Sequence, residues 1–423
     1  MKEKRYDVII IGAGAAGLLA AGETGKAGLK TLVLEKMERA GRKLFITGKG
    51  RCNITNVAPK SEFFKKTYPN GKFLKKAYHR FFSDDIIRLI ENQGVPVTIE
   101  QGGRVFPASN KSGDVVKALL QYAQASPNVE IKYKSEVKEI TFDAEDNARA
   151  QFLEEEQEKS VTAKTVLIVT GGKSYPATGS TGDGYQFATS LGHTSTQLLP
   201  ALVPLETAGN LATSMQGLSL KNVKASLWVN QKKQCDEFGE MLFTHFGLSG
   251  PVILTLSRQV VTELNKKNKV EIHVDLKPAL DDQKLDRRLI RDLNDHGRKK
   301  MENLFRLWLP SKMIIPFMKL VETDPNMEAH QLNANTRKKI RYLMKNLEFQ
   351  VTGYRPFEEA IITMGGIPTR EIDAATMQSK IRKNLWFAGE IIDLDAETGG
   401  YNLQIAWSTA FVAARSIIHS LKT

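Results

Sequence analysis

The sequence is most tightly constrained near its start, where three glycines are spaced as Gly12-x-Gly14-x-x-Gly17. They follow a short apolar run over residues 6–11 and precede an Ala/Leu-rich stretch over 15–27. The first pattern is typical of a buried parallel strand, and the second of a helix. Glycines placed between such a strand and such a helix predict a turn that binds a dinucleotide.

Glu35 ends the next apolar run, over 31–35, about 20 residues beyond the turn, as the motif requires. Its carboxylate can accept hydrogen bonds from both hydroxyls of an adenosine ribose, at about 1.5–3 kcal/mol each. It would repel a 2′-phosphate, which argues against NADP at this site. Ala15 and Ala16 begin the helix and offer amides to the phosphates, and Lys36 directly follows the carboxylate.

The far end of the chain decides between FAD and NAD. Residues 386–390 read as an apolar strand that ends in Gly389 and the acidic Glu390, where flavoproteins of the two-dinucleotide type place a group on the ribityl chain. Residues 399–402, Gly-Gly-Tyr-Asn, then open a long apolar helix. The N-terminus of that helix can stabilise negative charge on a reduced flavin ring. Together with the first motif, these features predict FAD.

Composition bounds the class of protein. With 423 residues the chain is long enough for two or three domains. Its two cysteines, Cys52 and Cys235, exclude a disulfide framework and a redox-active C-x-x-C pair, and they fit a reducing cytoplasm.

The apolar start imitates a secretion signal, but Asp7 and the glycines favour the strand–turn–helix interpretation. No other apolar run approaches the ~20 residues that span a bilayer, so we expect a soluble, cytoplasmic protein without a membrane partner.

The periodicities predict a doubly wound, Rossmann-type α/β domain built from residues 1–192 and 352–423. A β-rich inserted domain, expected over 193–280 and 348–366 with an overlapping boundary, interrupts it, because the first of these stretches alternates in the manner of strands. Residues 281–347 are charged and helical in pattern, and we expect a small helical domain there. No repeat or low-complexity linker separates these parts.

Passages along the whole chain resemble the BaiN/YhiN-like family of flavoproteins, often described as NAD(FAD)-utilising dehydrogenases. The resemblance is carried by Gly41-Arg-Lys…Thr47-Gly-Lys-Gly50-Arg-Cys-Asn53-Ile-Thr-Asn56, Gly103-Arg-Val-Phe-Pro107, Thr170-Gly-Gly-Lys-Ser-Tyr-Pro176…Thr178-Gly-Ser-Thr-Gly-Asp-Gly-Tyr185, Leu242-Phe-Thr-His245…Gly247-Leu-Ser-Gly-Pro251 and Gly389-Glu390…Asp393…Gly399-Gly-Tyr-Asn402. These passages run in order from near the start to beyond residue 400, so the match is specific.

The resemblance implies an FAD domain with an inserted β-barrel-like domain that carries a small helical domain. Family activities are reductions of carbon–carbon double bonds, on sterol-like enones in some members and on uracil of ribosomal RNA in others. Together with the motifs, it implies FAD contacts at Gly12, Gly14, Ala15, Ala16, Gly17, Glu35, Lys36, Arg42, Lys43, Gly50, Asn53, Val137, Thr170, Gly171, Gly389, Glu390, Asp393, Gly400, Tyr401, Asn402 and Leu403.

Reduction of a double bond by flavin also needs a proton. Cys52 and Tyr175 lie in the family motifs and are candidate donors, and His245 is a third candidate, from the inserted domain. Each has a structural alternative: a small buried residue for Cys52, a packed turn aromatic for Tyr175, and a satisfied structural histidine for His245. We find no second strand–G-x-G-x-x-G–helix, so an NAD(P)H donor would dock transiently over the flavin, or another reductant serves. No metal site is expected.

The formal net charge is +13, and most of it lies in one segment. Residues 36–80 hold 13 Lys or Arg and two Glu, so this segment alone carries +11. Within 60–80, five aromatic residues are interspersed with the cations: Phe63, Phe64, Tyr68, Phe73 and Tyr78. Charge for phosphates and ring faces for bases are what an unstacked RNA strand needs.

The alternative for the basic segment is that Arg42 and Lys43 neutralise FAD phosphate while the other cations are solvated. A weaker surplus lies at 287–291, 298–300 and 337–341. We therefore predict an FAD enzyme that reduces an activated C=C bond, with uracil in structured RNA as a candidate substrate. A small-molecule enone reductase or oxidase, and an RNA-binding protein with a structural or redox-sensing FAD, are the alternatives.

Overall fold

The computed structural model describes residues 5–423. They form two compact units, one of residues 5–199 with Ile361–Thr423 and one of Pro200–Ala360. The predicted boundaries differ by several residues, since 193–199 were assigned to the insertion and 352–366 lay in the overlap between the two predicted domains. Residues 193–199 and 361–366 pack with the first unit because the Thr363 hydroxyl accepts from the Lys173 and Ser174 amides and His193 is buried against Phe387.

The first unit contains a seven-stranded sheet whose parallel part confirms the predicted Rossmann-type fold. Its parallel strands, in spatial order, are Val129–Lys132, Thr31–Leu34, Arg5–Ile11, Gln157–Ile168 and Leu385–Phe387. The long strand Gln157–Ile168 also pairs in antiparallel fashion with Ala148–Glu154, which pairs with Ser135–Phe142.

The central strand is apolar because both of its faces are covered. Val8, Ile9 and Ile10 have no exposed surface. The helix Ala15–Lys26 packs against the final helix, Tyr401–Lys422, and both are largely buried. The strand ends that carry the glycine turn and Glu35 are thereby fixed on a rigid core.

The rest of the first unit contains shorter elements. Its other helices are Arg42–Gly50, Lys60–Lys65, Lys75–Arg80, Ser83–Asn92, Ser112–Gln124 and Asp183–Ser190, with short 3₁₀ turns at Gly71–Leu74, Gln101–Gly103, Pro176–Thr178, Thr369–Glu371 and Gly389–Ile391. Its other strands are Thr55–Asn56, Thr67–Tyr68, Val97–Glu100, Arg104–Pro107, Ile362–Met364 and Asp395–Ala396, and a further strand, Leu199–Ala201, lies where the chain passes from the first unit to the second.

The second unit is built on a closed barrel, which confirms the predicted β-barrel-like insertion. Around the barrel the strands are Leu205–Thr207, Gly247–Ser249, Lys232–Phe243, Ser219–Val229, Val270–Asp275 and Leu347–Tyr354, which pairs back to the first. Its helices are Leu211–Ser214, Pro251–Asn265, Asp282–Asp295, Met301–Phe305, Ser311–Val321 and Ala334–Lys345, with a 3₁₀ turn at Ala329–Gln331. The barrel and the helices share one apolar core.

Within residues 5–423, no helix has the length and apolar character needed to cross a bilayer.

Candidate functional site

The glycine turn connects the first strand to the helix Ala15–Lys26, and each glycine has a different steric environment. Gly12 has φ +106°, and a Cβ there would lie 2.8 Å from the Val169 carbonyl oxygen. A Cβ on Gly17 would lie 1.9 Å from the Gly12 oxygen, so strand and helix pack too closely for any side chain. A Cβ on Gly14 would meet nothing within 4 Å. The turn is therefore closed on two sides and open at Gly14.

The helix that follows begins with unsatisfied donors. Gly14 provides no side-chain cap, so the amides of the first turn, which include Ala15 and Ala16, have no partner from a capping side chain. Ala15 is half-exposed and Ala16 is buried. Free amides and the positive end of a helix dipole suit an anion such as a phosphate.

Glu35 follows the strand Thr31–Leu34, and its carboxylate is held next to the turn. One oxygen accepts from the Ala13 amide at 2.7 Å, and the other accepts from the Met37 amide at 2.9 Å. Burial raises the pKa of this carboxyl, and the two amide hydrogen bonds act against the rise. The carboxylate is thus oriented by the backbone and keeps lone pairs for two further donors.

Two predicted contacts near Glu35 are engaged in ion pairs. Lys36 Nζ lies 2.5 Å from a carboxylate oxygen of Asp183. Arg42, the first residue of its helix, lies 3.5 Å from Glu38 in the bend that precedes the helix. Both pairs are partly exposed and contribute about 0–1 kcal/mol each, so either cation can be redirected toward a phosphate at small cost.

Lys43 and Glu390 join distant parts of the first unit. Lys43 Nζ donates to Glu390 at 2.6 Å and to the Ser174 hydroxyl at 2.6 Å. The other oxygen of Glu390 accepts from the Ser174 hydroxyl and from the Thr363 amide, both at 2.9 Å. Glu390 is therefore fixed by donors on three different segments.

The backbone around Glu390 is also fixed. Gly389 has φ +77°, and its amide donates to the Thr409 hydroxyl of the final helix at 2.9 Å. Asp393 is half-buried, and its amide donates to the Ile367 carbonyl at 2.9 Å. The first bond attaches the turn Gly389–Ile391 to the side of the final helix, and the second attaches the residues after the turn to Ile367.

The final helix begins in close contact with residues 53–55. Gly400 has φ +98°, and a Cβ there would lie 2.4 Å from the Thr55 carbonyl oxygen. Its amide donates to the Asn53 side-chain oxygen at 3.0 Å when the amide of Asn53 is oriented to satisfy its neighbours. Only glycine fits here, and Asn53 caps the start of the helix.

The next three residues face different surroundings. Tyr401 is buried, with its ring 4.6 Å from that of Phe63. The Asn402 side chain accepts from the Ala396 amide at 2.8 Å and donates to the Ala396 carbonyl at 2.7 Å. Leu403 is half-buried. Asn402 can therefore offer a ligand its backbone amide more readily than its side chain.

Thr170 has the most informative environment of the predicted contacts. Its hydroxyl is buried and has no hydrogen-bond partner within residues 5–423. The hydroxyl lies where a Cβ on Gly184 would come within 2.0 Å of it, and Gly171 follows with φ +75°. An unpaired buried hydroxyl costs about 1–3 kcal/mol, and a bound ligand that supplies a partner removes that cost.

Two further predicted contacts are Val137 and Gly50. Val137 is buried in the strand Ser135–Phe142, whose first amide donates to the Glu35 carbonyl at 2.9 Å. Gly50 is exposed at the end of Arg42–Gly50, with φ +83°.

The three candidate proton donors have different exposures. Cys52 has no exposed surface, and burial raises the pKa of its thiol to about 12. Tyr175 is half-buried with φ +52°, directly after Ser174. His245 is exposed in the second unit, with its ring 4.8 Å from that of Phe246. Of these, Tyr175 alone adjoins the Lys43–Glu390–Ser174 cluster in sequence.

The expectation that aromatic residues of the basic segment present faces to RNA bases is wrong for three of the five. Phe63, Phe73 and Tyr78 are buried, and the ring of Phe63 lies 5.5 Å from that of Tyr78. Phe64 and Tyr68 are half-buried. The rings form part of the core because the segment is amphipathic, with its apolar side turned inward.

Sequence reasoning missed Thr363 and Thr409. Thr363 accepts hydrogen bonds from the Lys173 and Ser174 amides at 2.7 and 3.0 Å, and it lies against Gly172, where a Cβ would come within 2.4 Å of its hydroxyl. Both threonines are isolated in sequence and belong to no motif. Only the folded arrangement of distant segments reveals them.

Across residues 5–423, no group of three or more His, Cys, Asp or Glu side chains is placed to hold a metal ion.

The residues present fit a bound dinucleotide. The turn leaves space at Gly14, the helix after it lacks a cap, Glu35 is oriented toward the turn, and Thr170 has a buried hydroxyl in need of a partner. A Rossmann-type sheet with this turn, and a final helix that begins directly after Gly399 and Gly400, defines an FAD-dependent oxidoreductase.

The chain belongs to the family described as HI0933-like protein Rossmann domain, whose model matches residues 6–416. It is 28% identical over 415 residues to the ribosomal RNA dihydrouridine synthase of Escherichia coli, covering 98% of each chain. It is 26% identical over 409 residues to the 3-dehydro-bile acid delta(4,6)-reductase of Clostridium scindens, covering 96% of this chain and 98% of the relative.

Solved structures share the fold at low identity. The E. coli quinol fumarate reductase subunit FrdA superposes with a TM-score of 0.51 at 15% identity, over 100% of this chain and 71% of that one. The 3-ketosteroid delta1-dehydrogenase of Sterolibacterium denitrificans superposes with a TM-score of 0.50 at 14% identity, over 98% and 100%.

Proposed function

We propose that this chain uses FAD to reduce an activated carbon–carbon double bond, with a uracil base in RNA as the favoured substrate. The observation that carries the proposal is the full-length similarity to two relatives with different substrates and one shared chemistry. Dihydrouridine formation and delta(4,6) reduction both saturate a C=C bond, and both names belong to relatives matched over 96% or more of this chain.

The cofactor contacts follow from the geometry of the first unit. The pyrophosphate would bind at the amides after Gly14, the adenosine ribose at Glu35, and the ribityl chain near Glu390. Thr170 would gain its missing hydrogen-bond partner from the cofactor. FAD, when bound and reduced, supplies a hydride to one carbon of the double bond.

The chain must then deliver a proton to the other carbon, and we assign this step to Tyr175. It is partly accessible and follows Ser174, which is fixed on Glu390. Cys52 is fully buried, which favours a packing role for it. His245 stays a candidate of the second unit. The two electrons would come from NAD(P)H that docks transiently, because the sequence contains no second dinucleotide motif.

RNA is favoured over a small molecule because of the charge. The net charge of +13 gives a polyanion a reason to bind and gives an uncharged enone none. The same substrate fits the expected cytoplasmic location. The similarity to the bile acid reductase supports a small enone as the second candidate.

The test is mass spectrometry of ribosomal RNA from cells that lack this gene. We expect one uridine to lose the two added hydrogen atoms, and re-expression of the wild type to restore them. Tyr175→Phe should restore little, whereas Cys52→Ala should restore the product. RNA unchanged by the deletion, together with rapid oxidation of the reduced protein by a steroid enone, would support the small-molecule alternative. RNA binding without either reaction would support the alternative that the chain is an RNA-binding protein with a structural or redox-sensing FAD.

A further inference from the structure

The segment from Gly71 to Arg80 is amphipathic and highly charged. It comprises the turn Gly71–Leu74 and the helix Lys75–Arg80, and the residues of its apolar side are buried. The exposed side carries basic residues only, which we call the basic stripe: Lys72, Lys75, Lys76, His79 and Arg80.

The basic stripe is only weakly compensated by the protein: the charge of Lys76 helps to lower the pKa of the Asp373 carboxyl, but no stripe residue forms a close ion pair within the described chain. No member of the stripe lies within 4.0 Å of a carboxylate among the ion pairs of residues 5–423, whereas Lys43 and Lys66, in the same segment, pair with Glu390 and Glu397. Arg80 donates to the Ala375 carbonyl at 3.0 Å, which leaves its charge uncompensated. Neighbouring like charges on a helix repel each other, so the clustering of these cations on one side is unfavourable for the isolated helix.

The chemistry of the stripe favours the phosphates of a polyanion. A lipid surface would also need exposed apolar side chains, and the large exposed apolar residues of the described chain lie outside 58–98. Base stacking would need exposed rings, and those of Phe73 and Tyr78 are buried on the other side of the segment. The stripe extends about 12 Å, which covers about three to four phosphates at the axial rise of about 3.4 Å per phosphate on one strand of a duplex.

The segment is attached to the element that the proposed function places beside the flavin. The helix Lys75–Arg80 packs on the final helix, Tyr401–Lys422. Phe81, the next residue, stacks on Phe411 at 4.7 Å, and its carbonyl accepts from the Ser408 hydroxyl at 2.8 Å. A strand held on the stripe is therefore held on the same rigid body as the proposed cofactor site.

We propose that the basic stripe is a phosphate-binding surface that holds RNA by its backbone without reading its bases. This proposal rests on the proposed function in that RNA is the substrate. Contacts of this kind fix the position of a nucleic acid and supply affinity, while they carry no sequence information.

The experiment compares three variants of the full-length, FAD-loaded protein. The first is the triple variant Lys72→Gln, Lys75→Gln and Lys76→Gln. Its matched control is Lys117→Gln, Lys383→Gln and Lys422→Gln, which removes three exposed, unpaired lysines elsewhere on the first unit. The third replaces the three stripe lysines by arginine and keeps the charge. Affinity for a uridine-containing RNA hairpin of arbitrary sequence is measured by fluorescence anisotropy over a range of KCl concentrations.

We expect the stripe variant to bind about tenfold or more weakly, and its log–log salt slope to fall by up to about 2–3, since each lost phosphate contact removes about 0.7–0.9. The control and the arginine variant should bind within about twofold of the wild type. All variants should keep the flavin absorbance spectrum.

Equal affinity of the stripe variant and its control would overturn the proposal, and so would a wild type that binds the hairpin without salt dependence. Uridine reduction in ribosomal RNA is measured separately. Loss of binding in the stripe variant with no reduction by any form would uphold the stripe and refute the proposed function. Uridine reduction by the stripe variant at the wild-type level, with unchanged RNA affinity, would refute the stripe proposal and uphold the proposed function.

Discussion

At the scale of single residues, the candidate site depends on groups whose hydrogen bonds are made by the backbone. Glu35 is oriented by the Ala13 and Met37 amides, so its side chain is already positioned before a ligand arrives. Thr170 differs from Glu35, because its buried hydroxyl has no hydrogen-bond partner among residues 5–423. Both features predict how substitutions change FAD binding.

Glu35→Ala should weaken FAD binding while the protein stays folded. Two charge-assisted hydrogen bonds to the ribose, at about 1.5–3 kcal/mol each, are lost, so the Kd should rise at least about tenfold. Calorimetric titration of the deflavinated protein measures the Kd, and circular dichroism checks the fold. The control is Glu156→Ala, an exposed carboxylate in the same unit. Equal affinity of Glu35→Ala and the control would disprove the ribose role.

Thr170→Val should act in opposite directions on the free and the FAD-bound protein. Without FAD, removing a buried, unpaired hydroxyl should leave the melting temperature unchanged or raise it, because its desolvation cost of about 1–3 kcal/mol disappears. FAD affinity should fall by about two- to tenfold, for a net hydrogen bond of about 0.5–1.5 kcal/mol. Thermal unfolding with and without FAD measures both. A variant destabilised without FAD and unaltered in affinity would contradict this account.

At the scale of elements, the final helix connects the basic segment to the sheet through buried polar groups. The Thr55 hydroxyl donates to Gln404 at 2.6 Å, Gln404 donates to Ser408 at 2.9 Å, and Trp407 donates to the Ile54 carbonyl at 2.9 Å. Every one of these side chains is buried. The network therefore fixes the register of the helix whose start is proposed to face the flavin.

Gln404→Ala should destabilise the protein by about 2–4 kcal/mol, because Thr55 and Ser408 each lose a buried partner at about 1–3 kcal/mol. Urea unfolding should show a lower midpoint with an unchanged slope. His419→Ala, at an exposed position of the same helix, should unfold like the wild type. A wild-type midpoint for Gln404→Ala would show that the network does not hold the helix.

A second set of contacts between elements, the hydrogen bonds of His193, should make the stability of the protein depend on pH. His193 lies 3.0 Å from Glu371 and 2.7 Å from the Ser379 hydroxyl, with its ring against Phe387. Burial lowers the pKa of His193. The pKa of Glu371 is lowered as well, because hydrogen bonds from Thr194 and His193 outweigh the effect of its burial.

Since both pKa values lie below those of the unfolded chain, stability should be highest above about pH 6.5 and fall as the pH drops. The melting temperature should therefore decline between about pH 7 and pH 5. His193→Gln should flatten that decline, whereas His79→Gln, which changes an exposed histidine, should keep it. The same decline in His193→Gln as in the wild type would show that His193 is not its cause.

At the scale of the whole molecule, the fold and the dinucleotide turn could be predicted because their signals are local. The glycines, the apolar strands and Glu35 lie within 35 residues, and the spacing itself implies the geometry. The Lys43–Glu390 contact could be expected only as two separate residues, and Thr363 not at all, because those contacts join segments far apart in the chain.

The basic segment shows how composition can mislead. Aromatic residues among cations predicted an RNA-stacking surface, yet Phe73 and Tyr78 are buried while Lys72, Lys75 and Lys76 are exposed. That alternation follows the helical period, which was readable from the sequence. Periodicity, which decides the direction of a side chain, is here more informative than residue type.

The central claim is that the glycine turn and Glu35 hold the ADP part of FAD. The most direct test is calorimetric titration of the deflavinated wild type with FAD and with FMN, which has the same flavin ring but lacks the adenosine. We predict one FAD per chain, bound at least about 100-fold more tightly than FMN, because ribose and pyrophosphate contacts contribute several kcal/mol. Equal affinity for the two flavins would contradict the account.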